Sequence, residues 1–277
     1  MRFLSLPDGT KVPVLGLGTW GLGERHTSGA DVVAALRLGL DLGMTLIDTA
    51  EMYGDGRAEE VVGEAVKGRR DDVFIVSKVY PQNAGRKKIS TACERSLKRL
   101  GTDRIDLYLL HWREDVPLLE TVEGFEALRA AGKIRRWSVS NFDVDDMEEL
   151  WRLPGGKACA ANQVLFNLMR RGIETGLLPW CRKMRVPIMA YSPIEQGKLL
   201  TNRSLKEIAA ARGVSPARIA LAWLLRQDGI VVIPKAADQD HVRDNRSALD
   251  LTLSPQELTA LDRAFPRPRQ KRRLEMI

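Results

Sequence analysis

Short apolar segments alternate with amphipathic stretches along almost the whole chain. Eight of these segments are four to six residues long, and several are apolar at every position, which is typical of parallel strands buried on both faces. The segments comprise residues 14–18, 44–47, 73–77, 107–110, 134–139, 158–163, 187–190 and 230–233. Since the stretches between them place apolar residues on one helical face, the pattern predicts eight strands, each followed by a helix.

Turn and cap residues mark where several elements begin and end. Asp8 and Gly9, between apolar residues, predict an N-terminal β-hairpin with a tight turn. Gly101 follows a helical pattern as a C-terminal cap, and Ser215 and Ser254 precede helical patterns as N-terminal caps. No linker or change in composition interrupts the pattern, so we predict one domain over residues 1–277.

Eight strand–helix units in one domain of 277 residues favour an α/β fold of the (β/α)8 TIM-barrel type, preceded by the hairpin. Right-handed crossovers would close the parallel sheet on itself with the helices outside. Active sites in this fold lie at the carboxyl ends of the strands. The residues that end each strand are therefore the candidates for chemistry.

Seven consecutive predicted strands end in polar residues. Each residue alone has a structural explanation: Asp48 and Lys78 could form an ion pair that closes the barrel, and His111 could be a hydrogen-bonded core residue. These explanations weaken for the whole set because the ends of adjacent parallel strands converge. The set comprises Asp48, Lys78, His111, Ser140 with Asn141, Asn162 with Gln163, Tyr191 with Ser192, and Lys235.

Four residues at these ends suit proton transfer to a carbonyl oxygen. Tyr53 follows Asp48 by five positions, and a phenol with its ordinary pKa of about 10 is a weak acid near neutrality. A charged Lys78 beside it would lower that pKa, and Asp48 would keep the lysine charged. His111 would orient the carbonyl group. A positioned acid of this kind contributes about 10²–10⁴-fold in rate.

Reduction of a carbonyl group also needs a hydride. No side chain supplies one, so a nicotinamide cofactor is implied. The hydroxyl and amide groups of Ser140, Asn141 and Gln163 suit the carboxamide of such a cofactor. Tyr191 offers a flat face on which its ring could stack, or is a packing aromatic.

Eight segments of the chain together resemble the aldo-keto reductases. They are "LGLGTWGLG", "IDTAEMYG", "VSKV", "LYLLHW", "GKIRRWSVSNF", "ANQV", "MAYSP" and "IPK". The likeness covers nearly the whole chain, and the combination of segments is very specific. It is strongest to bacterial members that reduce small aldehydes such as methylglyoxal.

The resemblance implies roles for individual residues. The catalytic tetrad of the family is matched by Asp48, Tyr53, Lys78 and His111, with the tyrosine as general acid. The positions that line the substrate pocket are matched by Trp20, Tyr80, His111 and Trp112, although many members carry tryptophan in place of Tyr80. The cofactor-binding positions are matched by Gly18, Thr19, Ser140, Asn141, Gln163, Tyr191, Ser192, Lys235, His241 and Asn245.

The resemblance also implies a preference between dinucleotides. In members that prefer NADPH, a lysine after "IP" and a basic residue six positions later bind the adenosine 2′-phosphate. Lys235 matches the first, but His241 stands where arginine is usual and Ala236 where serine is common. We therefore predict NADPH as the cofactor, with NADH as a weaker alternative.

A glycine motif near the N-terminus needs a separate interpretation. Gly16, Gly18 and Gly21 form a G-x-G-x-x-G pattern, which marks a Rossmann phosphate loop only where a helix begins at the glycines. Here "GERHTSGA" precedes the next helical pattern, and Asp48 lies 27 residues after Gly21 rather than about 20. We interpret the glycines as room for substrate and nicotinamide beside Trp20.

Composition narrows the class of partner. The net charge of +7 suits an anionic ligand, but the densest basic cluster, residues 267–273, is interpreted as a solvated, partly ordered terminus without any nucleic-acid-binding motif. No apolar run is long enough for a membrane span, and no signal peptide is recognised at the N-terminus. The three cysteines are widely spaced and are interpreted as reduced thiols: Cys93, Cys159 and Cys181. We predict a cytoplasmic monomer acting on small carbonyl compounds, without a metal and without nucleic-acid or membrane partners.

Two other functions are compatible with the sequence. One is a nucleotide-binding regulatory subunit on the same fold, similar to the potassium-channel β subunits, which the presence of Tyr53 disfavours. The other is an aldolase that forms a Schiff base through Lys78, which Asp48 disfavours because it keeps the amine protonated. Oxidation of NADPH on adding an aldehyde separates a reductase from the first, and borohydride trapping of a covalent adduct would identify the second.

Overall fold

An antiparallel hairpin precedes the barrel in the computed structural model, which describes residues 1–22 and 29–277. The hairpin pairs β1 (Phe3–Ser5) with β2 (Lys11–Pro13). Its turn holds Gly9 at a φ of +86°, and the amide of Thr10 donates to Asp8 Oδ1 at 3.0 Å. The predicted hairpin and its tight turn are confirmed.

Eight parallel strands follow one another in sequence order and close into a barrel. They are β3 (Leu17–Gly18), β4 (Leu46–Asp48), β5 (Phe74–Val79), β6 (Leu107–Leu110), β7 (Trp137–Ser140), β8 (Asn162–Leu165), β9 (Ile188–Tyr191) and β10 (Ile230–Val232). The amides of Gly16 and Gly18 close the barrel by donating to the carbonyls of Val232 and Pro234, both at 2.9 Å. The predicted (β/α)8 barrel is therefore confirmed.

Ten α-helices lie among the described residues. They are α1 (Gly29–Asp41), α2 (Arg57–Val66), α3 (Ile89–Leu100), α4 (Leu118–Ala130), α5 (Val144–Arg152), α6 (Leu177–Met184), α7 (Arg203–Ala211), α8 (Pro216–Leu225), α9 (Gln239–Ser247) and α10 (Pro255–Ala264). The predicted caps are present: Gly101 is left-handed after α3, and the hydroxyls of Ser215 and Ser254 accept backbone amides at the starts of α8 and α10. No single helix in this part of the chain is long and apolar enough to cross a membrane, although α7 and α8, bent by 93° at their junction, pass that test as a pair.

The core leaves the carboxyl end of the barrel free for a site. A larger apolar layer lies between strands and helices, and a smaller one fills the barrel. The barrel interior holds Leu46, Val76 and Leu109 together with Leu6 and Val12 of the hairpin region. The hairpin covers the amino ends of the strands, whereas the carboxyl ends stay open.

Strand boundaries differ from the prediction by a few residues where local turns intervene. β8 begins at Asn162 rather than at residue 158, because Gly156–Ala158 form a short 3₁₀ turn. β5 continues to Val79, two residues beyond the prediction. Lys78 is therefore inside the strand, which directs its side chain into the barrel rather than over the rim.

The glycines of the G-x-G-x-x-G motif serve packing and not a phosphate. α1 begins at Gly29, so no helix opens at these glycines; residues 23–28 of the intervening segment lie outside the described residues. A Cβ on Gly18 would lie 2.9 Å from the carbonyl oxygen of Ile233, and one on Gly16 would lie 2.7 Å from Leu46 Cδ2. Barrel closure therefore requires both glycines. Leu46 fills the space beside Gly16 and leaves no room there for a ligand, whereas Gly18 also lines the cavity at the carboxyl ends of the strands, as the interpretation expects.

Candidate active site

A cavity of about 680 Å³ lies at the carboxyl ends of the strands. Its walls come from six of the predicted strand ends, so the expected convergence is confirmed. The residues from those ends are Asp48, His111, Ser140, Asn141, Gln163, Tyr191, Ser192 and Lys235. Gly18, Thr19 and Tyr53 line the same cavity.

Lys78 lies behind the lining and joins two of its residues. Its Nζ donates to Asp48 Oδ2 at 2.8 Å, to Tyr53 Oη at 3.0 Å and to the carbonyl of Thr49 at 2.9 Å. The lysine is completely buried and Asp48 is 3% exposed. Although burial alone would lower the pKa of Lys78, Asp48 and Tyr53 hold that pKa above its usual value. The amine is therefore charged at neutral pH, which disfavours a Schiff base.

The turn that carries Tyr53 is left-handed at three positions, two of which are glycine. Gly54, Asp55 and Gly56 follow it with φ angles of 57°, 55° and 91°, a left-handed run that glycine adopts without strain. A Cβ on Gly56 would lie 2.5 Å from atoms of the Arg99 side chain. The glycines after the tyrosine thus shape the turn that places its hydroxyl beside Lys78.

The balance of forces on the Tyr53 hydroxyl differs from the prediction. Burial raises the pKa of Tyr53, and this outweighs the opposing effect of the positive charge on Lys78. Lys78 does act to lower this pKa, as predicted, but the pKa of Tyr53 is above its usual value because burial, which the prediction left out, raises it. The phenol is therefore protonated near neutrality, and Lys78 Nζ lies 3.0 Å from its oxygen.

His111 is an uncharged imidazole at the cavity wall. Burial and, to a smaller extent, the charge of Lys78 lower its pKa from 6.5 to about 2. Its ring meets that of Tyr53 edge-on, with centroids 5.8 Å apart. Its Nδ1 is buried and has no hydrogen-bond partner among the described residues. A neutral ring with one N–H is suited to holding a carbonyl oxygen beside the tyrosine.

Amide and hydroxyl groups cluster beside the tetrad. Gln163 Nε2 donates to Asp48 Oδ1 at 2.7 Å, while Asn141 Nδ2 donates to Ser140 Oγ at 3.1 Å. Asn141 Oδ1 accepts the hydroxyl of Tyr191 at 3.0 Å. Gln163 therefore contacts both the predicted carboxamide site and the carboxylate that holds Lys78, a link that sequence alone did not suggest.

Aromatic and apolar side chains form the outer part of the cavity. Trp20, half exposed, and Trp112 line it as predicted, together with Met276 and Ile277. Tyr80 is not in the lining; its ring packs edge-on against Trp112, with centroids 5.9 Å apart. Tyr80 thus supports the tryptophan, and its contact with substrate stays a prediction.

The predicted phosphate-binding residues are divided between the cavity and the start of α9. Lys235 lines the cavity and is exposed. His241 is exposed on α9, and its Nδ1 lies 2.5 Å from Asp238 Oδ2. Asn245 is buried on the same helix. Asp238 caps α9 by accepting the amide of His241 at 2.9 Å, so a carboxylate competes for the imidazole that was expected to bind a phosphate.

Glu51 is a buried residue that sequence analysis did not identify. Its Oε1 accepts the amide of Tyr80 at 2.8 Å and Nδ2 of Asn83 at 3.1 Å, and its own amide donates to the carbonyl of Lys78. These contacts tie the segment between Asp48 and Tyr53 to the end of β5. A carboxylate two residues before the acid gives no pattern by which it could have been found.

Comparison with known proteins decides the family. The model of the aldo/keto reductase family matches residues 14–265. The chain belongs to the aldo/keto reductase family. Among relatives in this family, the methylglyoxal reductase YeaE of Escherichia coli K12 is 52% identical over 281 residues, which cover 100% of this chain and 99% of that protein. The glyoxal reductase of Bacillus subtilis is 34% identical over 262 residues, which cover 94% and 91%.

Solved structures of aldo/keto reductases agree with this assignment. One from Klebsiella pneumoniae, in complex with NADP and acetate, is 52% identical with a TM-score of 0.97 over 100% of this chain and 99% of that one. Another from the same organism, in complex with NADPH, is 52% identical with a TM-score of 0.96 over 100% of both chains. The backbone that presents the cavity is therefore that of the family.

Proposed function

We propose that this aldo/keto reductase uses NADPH to reduce small aldehydes and ketones to alcohols, with Tyr53 as the general acid. The observation that carries the proposal is the buried Lys78, which contacts both Asp48 and the Tyr53 hydroxyl at the edge of the cavity. Family membership and the similarity to an NADPH-bound structure support carbonyl reduction with this cofactor.

The lining of the cavity fits a nicotinamide dinucleotide. Gln163 uses its amide nitrogen on Asp48 and leaves its amide oxygen without a hydrogen bond among the described residues, ready to accept from a carboxamide. The half-buried ring of Tyr191 lies in the same lining. Lys235 supplies a cation for a phosphate. The cofactor, when bound, would supply the hydride to the carbonyl carbon.

The side chains of the tetrad would transfer the proton and stabilise the negative charge that it leaves behind. The hydroxyl of Tyr53 transfers its proton to the carbonyl oxygen as the carbon receives the hydride, so the product is the alcohol and a phenolate remains. Lys78, 3.0 Å away, stabilises that phenolate, and Asp48 keeps the lysine charged. The neutral His111 donates a hydrogen bond to the carbonyl oxygen and so orients it.

Loss of NADPH absorbance on adding methylglyoxal tests the proposal directly. A reductase consumes NADPH in proportion to the alcohol formed, whereas a regulatory nucleotide-binding subunit leaves it unchanged. Borohydride treatment with substrate should trap no adduct at Lys78, because that amine is buried and charged. Absence of turnover with any aldehyde, while NADPH still binds, would favour the regulatory function.

The substrate range should favour small, activated carbonyl compounds. Trp20, Trp112, Met276 and Ile277 narrow the outer cavity, so methylglyoxal or an aromatic aldehyde should have a higher kcat/KM than a steroid ketone or a long sugar. Trp112→Ala should raise kcat/KM for the larger compounds, whereas a conservative change of Tyr80 to Phe should leave the ranking unchanged. A steroid ketone that outperforms every small aldehyde in a turnover screen would contradict the proposal.

Lys235→Met should raise the KM for NADPH much more than the KM for NADH. Loss of a hydrogen bond to a charged phosphate costs about 1.5–3 kcal/mol, or about 10–100-fold in KM for NADPH. The KM for NADH should hardly change because NADH lacks the 2′-phosphate. His241→Arg should lower the KM for NADPH, since arginine can bind both Asp238 and a phosphate.

Steady-state kinetics with both cofactors check this prediction. Lys157→Met, at an exposed position outside the cavity lining, is the matched control and should change neither KM. Equal or better kcat/KM with NADH in the unmodified enzyme would overturn the predicted preference.

We further propose a monomeric enzyme in the cytoplasm whose partners are small carbonyl compounds. The net charge of +7 suits the anionic cofactor, and no nucleic-acid partner is proposed. Size-exclusion chromatography with light scattering tests the oligomeric state against the monomer mass of 31.0 kDa.

A further inference from the structure

The loop after β9 forms part of the cavity wall in an unusual backbone conformation. In this wall loop, residues 192–197, Ser192, Glu195, Gln196 and Gly197 have φ angles of 47°, 50°, 52° and 91°. Residues other than glycine adopt such angles only where their surroundings impose them. Contacts from outside the wall loop must therefore hold it in this shape.

Two residues of the turn after β8 provide those contacts. Asn167 is completely buried, and its amide donates to the carbonyl of Ser192 at 2.9 Å and to Glu195 Oε2 at 2.8 Å. Arg170 Nε donates to Glu195 Oε1 at 2.8 Å. The side chain of Glu195 is 4% exposed, so its carboxylate depends on these two donors for compensation.

The same guanidinium also reaches the far end of the chain. Arg170 Nη1 donates to Glu275 Oε1 at 2.8 Å. The next two residues, Met276 and Ile277, line the cavity, while Leu274 packs against the core. Arg170 thus connects two parts of the cavity wall that are distant in sequence.

Other tail contacts show that this segment is held in place. Arg267 Nε donates to Glu174 Oε2 at 2.7 Å, and Lys271 Nζ lies 3.3 Å from Asp145 Oδ1. The interpretation of residues 267–273 as a solvated, partly ordered terminus agrees with the structure. Most of their side chains are exposed, while ion pairs to buried and surface carboxylates direct the chain to the cavity.

We propose that Arg170 is a positioning residue that holds the wall loop and residues 274–277 together as one closure over the bound cofactor. The inference rests on the proposed function, because it requires the dinucleotide to occupy this cavity. Without Arg170, the buried carboxylate of Glu195 keeps Asn167 as its one side-chain donor among the described residues. The wall loop then shifts so that water can reach this carboxylate. Release of NADPH is thereby accelerated, while proton transfer is not, since Arg170 contacts no member of the tetrad.

Cofactor release measured by stopped-flow fluorescence tests this role. Arg170→Gln should raise the dissociation rate of NADPH about tenfold, the change that 1.4 kcal/mol produces, and should raise the KM for NADPH in parallel. The single-turnover rate of reduction at saturating NADPH should be unchanged. Arg170→Lys should give an intermediate dissociation rate, because an ammonium group cannot bind both carboxylates as a guanidinium does.

Glu275→Ala tests the contact between Arg170 and Glu275 apart from the contact between Arg170 and Glu195. It removes the link to residues 274–277 and leaves the pair between Arg170 and Glu195 intact, so it should also accelerate release. Because Glu275 is partly exposed, this variant decides the matter even if Arg170→Gln does not fold.

Arg70→Gln is the matched control. Like Arg170, Arg70 connects two separate groups with its guanidinium, in this case the carboxylate of Asp106 and the carbonyl of Val73. It precedes β5, however, and so lies at the amino end of the barrel, away from the cavity. It should lower the melting temperature without changing NADPH release. An unchanged dissociation rate in folded Arg170→Gln or in Glu275→Ala would overturn the inference. Failure of the unmodified protein to bind NADPH would instead overturn the proposed function.

Discussion

Replacement of Tyr53 by phenylalanine is expected to slow carbonyl reduction about 10²–10⁴-fold, which is the contribution of a positioned general acid. The change removes only the hydroxyl whose oxygen lies 3.0 Å from Lys78 Nζ. Because the ring stays, the turn that carries it should keep its packing and NADPH should bind nearly as before. Stopped-flow measurement of hydride transfer and fluorescence titration of NADPH separate the two effects.

Tyr80→Phe is the matched control for this loss. Its ring also lies near the site, but it packs against Trp112 behind the lining, so its hydroxyl should be dispensable. An unchanged kcat in Tyr53→Phe would show that another group donates the proton. A large loss of NADPH affinity would show that the hydroxyl acts in binding.

Replacement of Lys78 by methionine is expected to lower both activity and stability. Lys78 is completely buried, and its removal leaves the buried carboxylate of Asp48 with Gln163 as the one side-chain donor that remains among the described residues. Breaking a buried pair in this way costs about 3–5 kcal/mol in the free energy of unfolding. The phenolate of Tyr53 also loses its neighbouring cation, so the reduction rate should fall even where the variant is folded.

Chemical denaturation and single-turnover kinetics measure these two losses. Lys133→Met breaks a partly exposed pair with Glu94 and should cost at most about 1 kcal/mol. Since the pKa of Lys78 is raised above the ordinary 10.5, its stabilising contribution should be complete at neutral pH. It should be lost only as the pH rises through the raised value. A Lys78→Met variant with the unfolding free energy and rate of the unmodified enzyme would show that the pair is neither structural nor catalytic.

Much of the fold and part of the site followed from local sequence. The spacing of apolar residues that distinguishes a strand from a helix is a property of short segments, so the eight strand–helix units were predictable. The same holds for the caps at Gly101, Ser215 and Ser254. Polar residues at the ends of apolar runs had to converge once the strands were parallel, because the barrel brings all their carboxyl ends to one side. Asp48 and His111 accordingly line one cavity.

The resemblance to a family predicted roles for individual residues but not which neighbours their side chains contact. It matched Tyr80 to a pocket position, yet the ring lies behind Trp112. It matched His241 to a phosphate-binding position, yet Asp238 is 2.5 Å from the imidazole. Such outcomes depend on which neighbour a side chain meets in this particular chain.

Burial and contacts between distant segments were decided by the tertiary structure alone. The sequence placed Lys78 beside Tyr53, but only closure of the barrel excludes water there and makes burial outweigh the lysine in setting the pKa of the phenol. Gln163 meets Asp48, and Arg170 meets Glu275, across long stretches of chain. Local patterns therefore determined which groups this protein presents at the barrel end. Their protonation, their partners and the wall around them were determined by packing, because solvent exclusion and long-range contacts exist only in the folded chain.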